Sequence, residues 1–403
     1  MSERYEVVVA GAGMVGLSVA ALLAAGPAAK RLQVSVVDAG ARPAYSASGD
    51  VGLRVSAISL GSVSGLQKLG VWDAIRGVRA CSYERMHVWD ARCAVDGPEA
   101  LRFEAAEFAL PELGYIVENG LIQQALLSKL VDLGVDVRFD TPIATLETLP
   151  RGSGCRLGYG DGTTSKVDLL VGADGAGSTV RRAAGIPVKA WRYPQSALVT
   201  HLRPEFDHAH TAWQRFLVDG PLALLPLADG RVSVVWSTTP DLAKEALAVS
   251  DEELGRWLTD ASDRVLGKLT VDGPRGAFPL KAQHAVRYAQ PGVVLVGDAA
   301  HSVHPLAGQG VNLGIADAEE LARTVADALA GGEHPGDLPT LRRYERGRKG
   351  ANQTMLYFTD MLNRLFLSDS RAVAGLRTGG MRIFNRIAPL RRRAVQVALG
   401  IPL

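Results

Sequence analysis

Cysteine is scarce in this chain of 403 residues, which contains only Cys81, Cys93 and Cys155. These three residues are far apart, with no CxxC pair and no histidine at metal-ligand spacing. The scarcity excludes a disulfide framework and indicates free thiols, and no metal site is predicted. An excess of charge is also lacking, because the net charge is only +2. The chain as a whole is therefore not expected to bind a polyanion such as nucleic acid.

Charge is absent altogether between Val7 and Ala29, a run long enough to span a bilayer as a helix. A secretory signal peptide would need a basic start, whereas here Glu3 and Glu6 flank Arg4. Neither a membrane span nor a signal peptide explains why the glycines in this run are regularly spaced. The spacing of those glycines therefore decides between a membrane segment and a buried βαβ unit.

The glycines follow the pattern GxGxxG at Gly11, Gly13 and Gly16, between a β-branched run and a predicted helix. A second predicted strand, 32–37, ends at Asp38. In a nucleotide-binding βαβ unit the first glycine permits the turn, the second lets the backbone approach a pyrophosphate, and the third lets helix and strand pack closely. The helix N-terminus attracts the phosphates, and the acid accepts a hydrogen bond from a ribose 2′-OH. The stretch predicts a site for FAD or NAD rather than NADP.

Two later stretches repeat the order of strand, glycine turn, acid and helix. In VDLLVGADGAGSTVRRAAG (167–185), Asp174 lies in a turn after a predicted buried strand. In PGVVLVGDAAHSVHPLAGQGVNLGIAD (291–317), Asp298 follows another buried strand, at the end where α/β sheets bind ligands. A glycine-bearing loop, 306–310, then leads into a long predicted helix whose N-terminal N–H groups would face the ligand.

These motifs carry a resemblance to a known family. GDAAHSVHPLAGQGVNLGIAD resembles the FAD-ribityl signature of the single-component aromatic hydroxylases of the para-hydroxybenzoate hydroxylase type, and GADGAGSTVRR resembles their DG motif. GLRVSAISLGS (52–62) and LGYIVENGLIQQALL (113–127) resemble the ubiquinone-biosynthesis hydroxylases of the 2-polyprenylphenol hydroxylase type. The resemblance covers nearly the whole chain.

The resemblance implies a bound FAD and assigns its contacts by position. Arg54 would lie over the flavin, Asp298 would bond the ribityl or pyrophosphate region, and the backbone N–H groups of 310–312 would face the flavin pyrimidine. Two positions depart from the family pattern, since many relatives carry Glu at Asp38 and often Arg or Gln at Asn119. The predicted cofactor-binding residues are Gly11, Gly13, Gly16, Asp38, Arg54, Asn119, Asp174, Asp298, Gly310, Val311 and Asn312.

Five further residues are candidates for the flavin or substrate pocket, with packing in the core as the alternative. They are His304, Pro305, Trp213, Phe216 and Trp236. The HxxH spacing of His301 and His304 does not indicate a metal, because it lies in a loop and the resembled family uses none. No histidine, tyrosine or carboxylate is identified as a catalytic base by its spacing.

The predicted fold class is α/β: a discontinuous Rossmann-like FAD-binding domain, an inserted and mostly antiparallel β-sheet substrate domain, and a helical C-terminal region. The FAD domain must be discontinuous because the strand that completes its site lies near residue 293. The predicted boundaries are 1–78, 118–182 and 284–335 for the FAD domain, 79–117 and 183–283 for the substrate domain, and 336–403 for the C-terminal region.

The implied activity is that of an aromatic ring monooxygenase which uses NAD(P)H and O2, through a flavin C4a-hydroperoxide, to hydroxylate a polyprenylated phenol in ubiquinone biosynthesis. Two alternatives stay open: a hydroxylase of a soluble aromatic or secondary metabolite, and a non-catalytic accessory flavoprotein. Other proteins of the quinone pathway are candidate partners, and no oligomeric state is predicted.

The C-terminal stretch 371–403 lacks acidic residues and carries seven arginines among apolar residues at near-helical spacing. This pattern is typical of a basic amphipathic surface that contacts anionic lipid, and a solvated helical cap is the alternative. We expect a cytoplasmic protein with peripheral contact to the inner face of the membrane, where a polyprenylated substrate resides.

Overall fold

The computed structural model describes residues 4–149, 154–304, 306–368 and 370–400. The strands in these ranges are β1 (Tyr5–Ala10), β2 (Leu32–Val37), β3 (Val55–Ser59), β4 (Cys81–Tyr83), β5 (Arg85–Asp90), β6 (Leu101–Glu104), β7 (Gly114–Glu118), β8 (Asp136–Arg138), β9 (Ile143–Thr148), β10 (Cys155–Tyr159), β11 (Thr164–Val167), β12 (Leu169–Gly172), β13 (Val188–Pro204), β14 (Thr211–Phe216), β15 (Pro221–Pro226), β16 (Val232–Thr238), β17 (Leu269–Val271), β18 (Gly276–Ala285), β19 (Ala289–Gln290), β20 (Val293–Leu295) and β21 (His301–Ser302). The helices are α1 (Met14–Ala25), α2 (Leu60–Lys68), α3 (Trp72–Arg79), α4 (Asn119–Asp132), α5 (Thr179–Ala183), α6 (Pro240–Ala248), α7 (Asp251–Ala261), α8 (Gln309–Ala330), α9 (Leu338–Leu367), α10 (Arg371–Arg386) and α11 (Ala388–Leu399).

The first sheet is a Rossmann-type sheet with strand order β19-β20-β12-β1-β2-β8. All its neighbouring strands run parallel except β19, which pairs antiparallel with β20. Its central strands are short runs of buried β-branched and aliphatic residues, as expected for a parallel sheet covered on both faces. α1 packs against β2, α4 and α8. The predicted strands and the helix after the first glycine motif are therefore confirmed.

The second sheet is larger and mostly antiparallel, with order β21-β18-β13-β16-β15-β14-β5-β6 and β17 paired to β13. Only the pair of β5 and β14 is parallel among its described ladders. Its middle is the hairpin of β15 and β16, which turns at Asp229-Gly230 with a positive φ of 82° at Gly230. One face packs on α6 and α7, and the other is free to form a cavity wall.

A small third sheet, β3-β7-β4, takes strands from both sides of the predicted boundary between residues 78 and 79. The domain boundaries thus stay a prediction, although strands β13 to β18 all lie in the second sheet as that prediction requires. β9, β10 and β11 form a separate antiparallel sheet. The fold class, with its discontinuous Rossmann-like part, its inserted sheet and its helical C-terminal region, is confirmed.

The C-terminal helices pack back onto both sheets. α9 contacts α8 and β19, and α10 and α11 lie against the edge of the second sheet at β5 and β6. Arg377 of α10 forms a buried ion pair with Asp90 of β5, and Arg382 pairs with Glu99. The helices are therefore attached to the sheet by charge pairs as well as by apolar contact.

A buried carboxylate connects the first sheet to helices α8 and α9. Asp317 is fully buried and accepts hydrogen bonds from the backbone N–H of Gly297 at 3.1 Å, His301 Nε2 at 2.6 Å, Arg348 Nε at 2.7 Å and Asn352 Nδ2 at 3.0 Å. Burial alone would raise the pKa of Asp317, but His301, Arg348 and Asn352 outweigh it and hold the pKa at about 2. The ionised carboxylate fixes the loop after β20 against two helices.

Replacing this carboxylate should cost stability. We expect Asp317→Asn to lower the free energy of unfolding at pH 7 by about 3 kcal/mol or more, because a buried cation loses its partner. Since the pKa of the group is about 2 when folded and roughly 3.9 when unfolded, its stabilisation is complete above pH ~4 and is lost only as the pH falls from there towards 2. Urea unfolding at pH 7 and pH 5 should give the same loss.

The matched control is Asp327→Asn in the same helix, where Asp327 is exposed and pairs with Arg323. An exposed pair contributes roughly 0.2–1 kcal/mol, so this variant should unfold almost as wild type does. Equal losses at the two positions would contradict the role given to Asp317.

Candidate active site

Three loops that are distant in sequence meet at one edge of the first sheet. Because β1, β2, β12 and β20 are parallel, their carboxyl ends lie side by side. The N–H of Gly11 donates to Val37 O at 2.8 Å, and the N–H of Ala173 donates to Ala10 O at 2.8 Å. The N–H of Val296 donates to Gly172 O at 3.0 Å. The three predicted motifs are thus brought together.

The three glycines of the first motif have different surroundings. Gly11 has a φ of +110°, and a Cβ there would overlap the backbone of Ala173. A Cβ at Gly16 would overlap the carbonyl of Gly11. A Cβ at Gly13 would meet no atom within 4 Å, and Gly13 lines the cavity described below. The first and third glycines are therefore needed by the fold itself, whereas the second leaves room for a ligand.

Asp38 holds the glycine loop in place. Its carboxylate accepts from the N–H of Ala12 at 2.6 Å and from the N–H of Gly40 at 2.7 Å, and the residue lines the cavity. Gln123 Nε2 of α4 donates to Ala12 O at 2.6 Å, a contact that the sequence did not reveal. Each carboxylate oxygen keeps a lone pair for a ribose hydroxyl, so the position fits the predicted role.

Asp174 has its carboxylate occupied by the protein. It accepts from the N–H groups of Thr179 at 2.7 Å and Val180 at 3.0 Å and from Ser178 Oγ, and so caps the short helix α5. Ser178 is the N-cap residue of that helix. The residue lines the cavity, but its side chain shapes the loop rather than standing free.

Asp298 and Arg54 carry charges that the described residues leave available. Both line the cavity, and neither side chain makes a hydrogen bond to any other described residue. Desolvation raises the pKa of Asp298, and the charges of His301 and Arg54 oppose that rise. An acid and a base that face a cavity without partners are suited to hold a polar ligand such as the ribityl or pyrophosphate part of FAD.

Two side chains connect the second motif to the third, although neither is among the predicted site residues. Gln283 Nε2 donates to Ala176 O at 2.8 Å and to Asp298 O at 3.1 Å. Arg181 donates to Ala299 O at 2.7 Å and to Ala176 O at 2.9 Å. The turn holding Asp174 is thereby fixed relative to the turn holding Asp298.

The N-terminus of α8 supplies the third set of donors. Gly310, Val311 and Asn312 lie in its first turn, where N–H groups have no intrahelical acceptor. Asn312 does not line the cavity, since its buried side chain donates to Ala57 O at 2.9 Å and accepts from the N–H of Ser59 at 3.0 Å. Only its backbone, as the prediction required, could serve a cofactor.

Asn119 likewise stabilises the wall of the site. Its Oδ1 accepts from Ser56 Oγ at 2.7 Å, and its N–H donates to Arg54 O at 3.0 Å. It lines the cavity beside Arg54. The amide therefore supports the segment that carries the arginine and leads into β3.

The cavity between the two sheets and the C-terminal helices has a volume of about 1700 Å³. It begins at the glycine loop, follows the inner face of the second sheet and is closed by α9, α10 and α11. The sheet residues that contribute to its lining are Met86, Val88, Leu101, Phe103, Ala197, Val199, Ala212, Trp213, Gln214, Phe216, Pro221, Ala223, Leu225, Ser233, Val235, Ser237, Phe278 and Leu280. The wall is thus largely apolar.

Two of the five predicted pocket residues lie in this wall. Phe216 faces the cavity and stacks on Phe366 of α9 with ring centroids 3.7 Å apart. Trp213 contributes to the lining, but its ring stacks on His87 at 5.0 Å and packs with the cluster under α6 and α7, because alternation along β14 turns it away from the face of Gln214. Pro305 lies outside the described residues.

The other two do not line the cavity, which corrects the prediction. Trp236 packs with the cluster under α6 and α7, because alternation along β16 directs it to the opposite face from Val235 and Ser237. His304 is fully buried against Tyr193, with ring centroids 4.8 Å apart. Burial lowers the pKa of His304 to about 4 against the opposing charge of Asp360, so the ring is neutral at neutral pH.

Solved structures share this architecture. PqsL of Pseudomonas aeruginosa, a probable FAD-dependent monooxygenase, superposes with a TM-score of 0.78 at 22% identity, over 94% of this chain and 99% of that chain. HpxO of Klebsiella pneumoniae, solved with FAD and uric acid, gives a TM-score of 0.75 at 18% identity, over 98% of this chain and 97% of that chain. At this identity the likeness shows the fold.

Together the fold and the site define a flavin-dependent oxidoreductase of the monooxygenase class. A family model described as "FAD binding domain" matches residues 4–359. The chain is 37% identical to the 3-demethoxyubiquinol 3-hydroxylase of Escherichia coli K12, over 99% of this chain and 100% of that protein. It is also 37% identical to the ubiquinone hydroxylase UbiL of Rhodospirillum rubrum, over 98% of this chain and 89% of that protein. The chain belongs to the ubiquinone-biosynthesis hydroxylases of this FAD-binding family.

The glycine geometry makes a prediction about FAD. We expect Gly13→Ala to leave the unfolding midpoint of the apoprotein nearly unchanged but to raise the FAD dissociation constant at least tenfold, because the added methyl occupies space near the pyrophosphate. Gly16→Ala should lower both the midpoint and the affinity, since its methyl overlaps the Gly11 carbonyl. FAD titration by fluorescence and thermal unfolding without FAD measure the two effects.

Gly77→Ala is the control, because Gly77 lies in α3, does not line the cavity and also has no atom within 4 Å of an added Cβ. It should bind FAD as wild type does. Unchanged FAD affinity in the Gly13 variant would contradict the assignment of the pyrophosphate to this loop.

Proposed function

We propose that this chain is an FAD-dependent aromatic ring monooxygenase that uses NAD(P)H and O2 to hydroxylate a polyprenylated phenol in ubiquinone biosynthesis. The names of its relatives support the pathway and the reaction. The observation that carries the substrate class is the largely apolar cavity of about 1700 Å³. Sites for small ligands are typically about 300–1,000 Å³, so this volume suits a cofactor together with a long apolar substrate.

The cofactor contacts follow from the geometry of the site. The glycine loop and the N-terminus of α1 would hold the pyrophosphate, and Asp38 the adenosine ribose. Asp298 and Arg54 are the charged groups left for the ribityl chain and the flavin. The first-turn N–H groups of α8 would face the pyrimidine ring, where a helix N-terminus stabilises negative charge. When bound, FAD supplies the electron transfer and oxygen activation that side chains cannot supply.

The chain's own contribution to the reaction is to orient the ring and exclude water. Wall residues such as Val88, Val199 and Val235 come from strands of one rigid sheet. Phe216 and Phe366 form an aromatic pair at the same face. A dry and shaped cavity protects a reactive oxygen species from water and holds the substrate ring near it.

The C-terminal helices connect the cavity to a surface suited to lipid. Met381 and Phe384 of α10 and Val395 and Leu399 of α11 line the cavity. Large apolar side chains of the same segment are exposed, namely Ile383, Ile387, Leu390 and Val397, and Val397 also contributes to the cavity lining. No described helix combines the length and hydrophobicity needed to cross a bilayer. We therefore propose that α10 and α11 lie on an anionic bilayer from which the substrate tail enters.

The arginines of the C-terminal stretch fall into two groups, those with an acidic partner and those without one among the described residues. Acidic side chains from elsewhere in the chain pair with Arg377, Arg382 and Arg391. By contrast, Arg386, Arg392 and Arg393 are exposed and make no ion pair with any described residue. These three, beside the exposed apolar side chains, form the membrane surface we propose. Because the inner faces of the helices line the cavity, deleting the segment would open the site, so point variants are the sharper test.

One prediction of the proposed function concerns turnover. Purified holoprotein should oxidise NAD(P)H faster when 2-geranylphenol is added, and the product should gain one oxygen by mass spectrometry. A soluble phenol such as 4-hydroxybenzoate should give at least a tenfold lower kcat/KM, because it buries no tail at about 0.8 kcal/mol per CH₂. Equal rates would favour a soluble substrate, and no stimulation by any phenol would favour an accessory flavoprotein.

The proposed membrane surface makes a prediction about lipid binding. Replacing Arg386, Arg392 and Arg393 together by Gln should lower partitioning onto anionic phosphatidylserine-containing liposomes about 100-fold, at about 1 kcal/mol per arginine. FAD content should not change. Co-sedimentation with liposomes measures the effect, and liposomes of neutral lipid should show a much smaller difference.

The control replaces three other exposed arginines, Arg256, Arg287 and Arg346, which lie outside α10 and α11. It changes the net charge equally but should keep the affinity for liposomes. Equal losses in the two triple variants would show nonspecific attraction and would remove the proposed membrane surface.

A further inference from the structure

Gln214 is a buried amide without a partner in the wall of the cavity. It lies on β14 between Ala212 and Phe216 on the cavity face and is only 8% exposed. Its side chain makes no hydrogen bond to any other described residue. Buried amides are almost always hydrogen-bonded, so an unpartnered one that faces a cavity indicates a ligand group.

The strand register places this amide in an apolar row. Val199 pairs with Val235, Val235 with Ala223, and Ala223 with Gln214, which in turn pairs with Val88. All five line the cavity. Two serines, Ser233 and Ser237 of β16, flank the row two residues away on the same face. Gln214 is therefore the only amide among the sheet residues of the described cavity wall.

A second buried glutamine in the same sheet shows what a structural amide looks like here. Gln195 of β13 is 2% exposed, and its Nε2 donates to Asp219 O at 2.8 Å. Its Oε1 accepts from Asn363 Nδ2 at 2.9 Å. Both amide groups of Gln195 are thus used by the protein. Neither amide group of Gln214 is, although it is buried almost as deeply.

We propose that Gln214 is a positioning residue that hydrogen-bonds an oxygen substituent on the aromatic ring of the substrate. A primary amide both donates and accepts, as a phenol hydroxyl does, so the two can pair in either sense. The neighbouring Phe216, stacked on Phe366, offers an aromatic surface for the ring. The phenolic nature of the ligand rests on the proposed function, whereas the unpartnered amide does not.

The test measures binding to the holoprotein with two ligands that differ by one hydroxyl, 2-geranylphenol and geranylbenzene. Wild type should bind the phenol more tightly. Gln214→Leu, which removes the amide and leaves an apolar side chain of similar volume, should raise the dissociation constant of the phenol at least tenfold, equivalent to about 1.4 kcal/mol. Its affinity for geranylbenzene should be unchanged or higher. Perturbation of the flavin absorption spectrum reports binding without turnover.

Thermal unfolding separates positioning from a structural role. Because Gln214 has no protein partner, Gln214→Leu should melt at the wild-type temperature or above it. Gln195→Leu is the matched control, and it should melt several degrees lower because it leaves Asp219 O and Asn363 Nδ2 without partners. Its preference for the phenol over geranylbenzene should persist.

Three results would overturn the inference: a wild type that binds the two ligands equally or binds neither, a leucine variant that keeps the preference, or one that loses both ligands alike. The proposed function fails separately. If wild type shows the Gln214-dependent preference but hydroxylates no prenylphenol, the positioning role stands and the reaction does not. If wild type and Gln214→Leu hydroxylate 2-geranylphenol equally well, the proposed reaction stands and the positioning role does not.

Discussion

The site depends on the parallel pairing of β1 with β2 and β12, and of β12 with β20. Parallel strands place all their carboxyl ends at one edge, where β1 is followed by the glycine loop and β2, β12 and β20 are followed by Asp38, Asp174 and Asp298. Because β20 starts at residue 293, the pairing closes loops of more than a hundred residues. The entropy of closing such loops grows only slowly with length, so a whole sheet can be inserted between the strands.

The second sheet and the C-terminal helices form the cavity beside this edge of the first sheet, and so determine which ligands can bind there. The sheet turns one face to α6 and α7 and the other to the cavity, and strict alternation assigns each side chain to one of them. Trp236 and Ser237 are neighbours in sequence but lie on opposite faces for this reason. The helices α10 and α11 have apolar residues that line the cavity and apolar residues that are exposed. A single pair of helices thus serves as a wall and as a candidate lipid surface.

Polar groups that are buried or that line the cavity fall into two sets in this fold. Asp317 and Gln283 are surrounded by partners and hold loops to helices and to each other. Gln214 and Asp298 face the cavity without protein partners. In the interior an unpartnered polar group costs free energy, so the first set stabilises the fold and the second is suited to ligands. The division can be made only from the contacts, since the residue types are the same.

The sequence by itself determined the first βαβ unit with Gly11, Gly13 and Asp38, the two later motifs with their acids, and the fold class. These features can be read from the sequence because a glycine turn or a buried strand is specified by residues that are close together in the chain. It could not separate Trp236 from Phe216, since both are aromatic residues on strands and only register and alternation assign a face. It also gave no signal for Gln214, because an isolated glutamine in a strand forms no pattern. Which residues face the cavity was decided by tertiary structure, since burial and partners arise only when distant strands and helices pack together.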